Sequence, residues 1–72
     1  MAIELTVEEK LNIVDQHIKQ MQYLIYGAEL DLVEANAIVD VDQTVIQSIT
    51  DRIASATAKK DALVLTREAL VN

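Results

Sequence analysis

The chain has no cysteine, no proline and a single glycine, Gly27. Without cysteine, disulfides and thiolate metal sites are excluded, and the redox compartment leaves no mark on the sequence. With so few residues that punctuate a chain, long uninterrupted helices are open to it. Cations are missing between Lys19 and Arg52, a stretch that holds Glu29, Asp31, Glu34, Asp40, Asp42 and Asp51. The net charge of −6 therefore divides into −2 over residues 1–19, −6 over 20–51 and +2 over 52–72. Binding a nucleic-acid backbone needs clustered Lys and Arg, so nucleic acid is not an expected partner. No apolar run approaches the ~20 residues of a membrane span, and Met1 to Thr6 carries Glu4 with no basic residue, so neither a membrane segment nor a secretory leader is expected. A cytoplasmic or particle-associated (virion) protein is the expectation.

What the chain does have is an apolar heptad. Val7, Leu11, Val14, Ile18, Met21, Ile25, Ala28, Leu32, Ala35 and Val39 follow one another at alternating steps of four and three. That spacing keeps one stripe on one side of a helix, and a stripe of that length predicts a helix lying along another helix. The start is legible in Thr6-Val7-Glu8-Glu9, which fits a capping box, with Glu8 and Glu9 favourably placed at the positive end of the helix dipole. The pattern runs to Val39, where β-branched residues and short carboxylates interrupt it. Asp40 with Gln43 reads as a second capping box, and Asp42 is the alternative cap. The reading is an all-α, coiled-coil-like chain forming a single helical-hairpin domain over 1–72, with helices from about Val7 to Val39 and from about Val41 to Leu70 and a turn near 39–41. Two long helices joined so tightly run antiparallel.

The second helix carries a weaker seam. Ile49, Ala56, Leu63 and Leu70 recur every seven residues, with Val45, Ile46 and Ile53 between them at first and then Lys59 or Lys60 and Thr66 or Arg67. A neighbouring stripe of Ala54, Ala58, Ala62, Leu65 and Ala69 competes with it for helix 1. Charge offers an independent check: a turn centred near Asp40 places Lys19 near Asp61, Glu29 near Arg52 and Asp15 near Arg67. The expected hairpin seam is thus Leu11, Val14, Ile18, Met21, Ile25, Leu32, Ile49, Ile53, Leu63 and Leu70.

Helix 1 has more apolar surface than one companion helix can cover. Tyr23, Tyr26, Leu30, Val33 and Ala37 form a second stripe at steps of three and four, away from the first. Apolar surface of that extent on a small protein marks a contact site. It predicts a homo-oligomer, either two hairpins in a four-helix bundle or three in a six-helix cluster. Gly27 lies inside this helix at a cost of about 1 kcal/mol relative to Ala, which a close partner helix or a neighbouring Tyr ring would offset. The acidic residues Glu29, Asp31, Glu34, Asp40 and Asp42 form a candidate docking surface for a basic protein.

The chemical inventory is thin. His17 has Ile13, Val14, Gln20 and Met21 one turn away, none of which binds metal strongly or orients an imidazole. Asp40-Val-Asp42-Gln-Thr44 with Asp51 echoes a calcium loop, but Val45 stands where that loop needs Gly. No phosphate cradle or nucleophile set can be assembled, so no enzyme activity, cofactor or metal is expected. In general character the chain is similar to short helical-hairpin proteins among phage-encoded accessory and virion components; the likeness rests on size, absence of cysteine and the helical repeat, and identifies no residue. The functional expectation is a structural or assembly protein that associates with itself and with a larger scaffold. The alternative is a small acidic adaptor or inhibitor.

Overall fold

The computed structural model describes residues 4–72 as two helices, α1 (Val7–Asn36) and α2 (Gln43–Val71), packed side by side. Two ion pairs fix their direction. Arg67 Nε lies 2.7 Å from Asp15 Oδ1, and Arg52 Nη2 lies 3.0 Å from Asp31 Oδ2, so α2 returns antiparallel along α1. The hairpin is rod-like, 59 × 21 × 14 Å.

The first cap forms as expected. The Thr6 hydroxyl accepts from the Glu9 amide at 3.1 Å, and the Thr6 amide donates to Glu9 Oε1 at 2.9 Å. The turn differs from expectation. α1 stops at Asn36, three residues before Val39, and the connection occupies 37–42. The amides of Ala37 and Ile38 donate to Glu34 and Ala35 three residues back, at 3.2 Å each, tightening the last turn as the chain leaves the helix. Val39, the last member of the apolar heptad, is 96% exposed.

Asp42, not Asp40, caps α2. Its backbone is extended, and its Oδ1 accepts from the Thr44 amide at 2.9 Å and the Thr44 hydroxyl at 2.8 Å. The reason lies in the apolar residues on either side of the carboxylate. Capping at Asp42 places Val41 just before the cap and Ile46 in the first helical turn, and both pack on the core, the arrangement of a hydrophobic staple. Capping at Asp40 would have carried Val41 into the helix and forfeited it.

The α1 seam is where the heptad puts it. From Leu11 to Ala35 every heptad position is buried or half-buried, while Val7, beyond the reach of α2, is exposed. In α2 the inward positions are Ile46, Ile49, Ile53, Ala56, Lys60, Leu63, Arg67 and Leu70, a complete repeat of threes and fours. Lys60 and Arg67 therefore occupy the places left open between them and Lys59 or Thr66, and Val45 lies outside the seam, exposed. The competing stripe of Ala54, Ala58, Ala62, Leu65 and Ala69 faces away from α1. The core is small: Ala28, Ala35, Ile49 and Ala56 are the buried residues, with Leu32, Val41, Ile46 and Ile53 packed around the first three. Ala28, Ala35 and Ile49 lie toward the turn, and Ala56 at the middle of α2. No large side chain among the described residues is fully buried.

The register is displaced by two to three residues from one centred on Asp40, because the connection 37–42 is longer than the expected turn. Asp15 meets Arg67 as expected, but Arg52 pairs with Asp31 rather than Glu29. Lys19 forms no ion pair with Asp61; its Nζ sits 5.9 Å from the centroid of the Tyr23 ring, a cation–π distance.

Candidate self-association surface

The second apolar stripe of α1 lies on the outside of the hairpin. Tyr23, Tyr26 and Val33 are 69%, 62% and 65% exposed, and Leu30 is exposed between them. They recur at helical steps of three and four, so their side chains share one face, about 150° around α1 from the seam. Lys19 covers the N-terminal end of the stripe through its approach to Tyr23. Ala37 is the exception: it is exposed but stands at the C-cap, where the helix is already ending.

Gly27 sits beside this stripe, within one turn of both Tyr23 and Leu30. Its φ is not positive, so the backbone does not require glycine there. Apart from its two chain neighbours and the nearby backbone of its own helix, a Cβ built on it would meet nothing within 4 Å. Close approach of α2, one explanation for a glycine in this helix, is therefore ruled out within the hairpin.

The acidic residues do not converge. Asp31 and Glu34 line a shallow groove of about 510 Å³ with Ala35, Val45, Ile49 and Arg52. Glu29, two residues before Asp31, points about 200° away around the helix. Asp31 is held by Arg52, Asp42 is engaged at the α2 cap, and Asp40 is exposed in the connection. A second groove of about 220 Å³ is floored by Met21, Leu24, Ala28 and Ala56, with Arg52 and Lys59 at its edge.

Titration behaviour is perturbed only at the two helix starts. Glu9 is held below its ordinary value by the backbone amide of Thr6 and then by its hydroxyl; Asp42 is lowered by the backbone amide and then the hydroxyl of Thr44. Both are structural caps, remote from the tyrosine stripe. Among the described residues no three His, Asp or Glu side chains gather where a metal ion could be held, and no helix is long and apolar enough to cross a membrane. His17 is exposed.

Comparison with known proteins finds no family model, no curated protein and no solved structure that matches the chain.

Proposed function

We propose that this chain is a non-enzymatic assembly protein whose hairpins associate with one another through the outer stripe of α1. The observation that carries the reading is the surface a lone hairpin leaves wet. It presents 5656 Å² to solvent, whereas a compact protein of 8.0 kDa exposes about 4,500 Å². Its radius of gyration is 16.8 Å, against about 11 Å for a compact chain of this length. Part of that surface is the apolar stripe of Tyr23, Tyr26, Leu30 and Val33, all exposed on one face of α1. In this reading the chain is a building unit, joining copies of itself and a larger scaffold in a cell or a virus particle.

Light scattering at micromolar concentration tests it. The expected result is a multiple of 8.0 kDa that persists in high salt, because apolar contacts are not screened as charge pairs are beyond the ~8–10 Å Debye length. Exchanging both Tyr26 and Leu30 for Glu should yield a monomer with less helix, since small helical units draw stability from association. A folded, monodisperse monomer of the unmodified chain would discard self-assembly and leave the stripe to a different protein. The adaptor reading has less behind it, because its five carboxylates are split between faces and two of them are already engaged.

A further inference from the structure

Resting on that self-association, we infer its geometry: two hairpins pair through α1, antiparallel, and the two helices cross at Gly27. The occupant of the tyrosine stripe is a second copy of this chain, and Gly27 of one protomer faces Gly27 of the other. Three observations bear on this arrangement: Gly27 and the charge pattern point to it, and the exposed area leaves room for it.

The first is Gly27 itself. Inside a helix, with no positive φ and nothing within 4 Å of the place a Cβ would take inside the hairpin, glycine only weakens the fold. An approach from outside accounts for it, because the absence of a Cβ lets two helix axes come toward the near end of the ~8–10 Å range. Tyr23 and Leu30, one turn to either side, would then close over the crossing. The second is area. The hairpin exposes roughly 1,200 Å² more than a compact protein of its mass, spread along the rod, so a second copy lying along α1 has surface enough for the ~800 Å² per partner of a standard interface.

The third is charge, which selects the direction. In a parallel pair Glu34, on the same side of α1 as Gly27, would face Glu34, with no cation on the chain between Lys19 and Arg52 to relieve it. In the antiparallel pair crossing at Gly27, Lys19 of each protomer comes level with Ala35 of the other and within reach of its Glu34, while Gln20 stands opposite the same carboxylate. The two Glu34 carboxylates are then about 21 Å apart along the axis, and each has a Lys19 beside it, at both ends of the stripe.

The test uses the whole chain and its freedom from cysteine. A spin label on Gln16→Cys, an exposed outer position, should lie about 33 Å from its copy at a crossing on Gly27, from the 1.5 Å rise per residue; a parallel pair would put the labels near ~10 Å. Gly27→Leu should keep its helical circular dichroism and weaken association about tenfold or more. Gly27→Ala should raise the melting temperature of the dilute, monomeric hairpin while weakening association several-fold, opposite signs that a simple gain in helix propensity would not produce. Dimers with a short label distance, or dimers indifferent to Gly27→Leu, overturn the crossing and leave self-association standing. Absence of any oligomer overturns both.

Discussion

Arg67 reaches across the open end of the hairpin to Asp15, Nε to Oδ1 at 2.7 Å, from a heptad position that an apolar residue fills nearer the turn. Half-buried Lys60, seven residues earlier, occupies the corresponding position without an ion-pair partner among the described residues. The seam is therefore apolar near the turn and part-charged near the termini.

Lys60→Leu should stabilise the fold by about 1 kcal/mol, because a partly covered Leu in an apolar seam gains most of its transfer free energy without removing a charge pair. Arg67→Leu should gain less, since the Asp15 pair, worth ~0–1 kcal/mol at this exposure, is lost with it. Thermal denaturation followed by circular dichroism ranks the two. A lower melting temperature for Lys60→Leu would show that the ammonium is engaged by something outside the hairpin.

Leu32→Asp should unfold or dissociate the protein. Leu32 packs on the Ala28, Ala35 and Ile49 core, and a carboxylate placed there without a partner costs several kcal/mol. Gln16→Asp, on the exposed side of the same helix, should change little. Equal melting temperatures for the two variants would refute the assignment of the seam.

Val39→Ser should leave stability within about 0.5 kcal/mol of the unmodified chain, as expected for a surface position, because Val39 is out of the helix and almost wholly in solvent. A large loss on urea titration would place Val39 in a contact that the hairpin alone does not make.

Acid should loosen both helix starts. Glu9 and Asp42 have folded-state values below their ordinary 4.5 and 3.8, so folding favours their charged forms. Their contribution is complete above those ordinary values and is lost as pH falls through the lower folded ones. Melting temperatures measured from about pH 6 to about pH 2 should fall more for the unmodified chain than for the double variant Glu9→Gln, Asp42→Asn, which keeps capping groups that do not titrate. Matching slopes would show that the caps contribute nothing to the acid response.

The α1 seam is legible in the sequence because the successive heptad positions from Leu11 to Ala35 are all apolar and one period explains them. The α2 seam is only half legible, since Lys60 and Arg67 hide their burial: their long aliphatic stems line the seam while the charged ends reach water. The end of α1 escapes the pattern because Val39 continues the period in sequence after the backbone has left the helix. The α2 start carries a usable signal in Val41 and Ile46 flanking Asp42 at staple spacing, which decides between two caps that look alike by residue type. At the outer stripe, the exposure of Tyr23, Tyr26, Leu30 and Val33 follows from phase alone, but the empty surroundings of Gly27 depend on how the side chains around it pack.

The placement of the Ala28, Ala35 and Ile49 cluster toward the turn also governs how the hairpin forms and yields. The first contacts need only the connection 37–42 to close, a short loop with a small entropic cost. Each later helical turn docks beside one already in place, so the chain zips from the turn outward, in the microsecond-to-millisecond regime of locally connected helical folds. A pull on the two chain ends meets the part-charged seam of Lys60 and Arg67 first and the alanine-rich core last. Force applied through the termini therefore peels the rod open by degrees while its closed end holds.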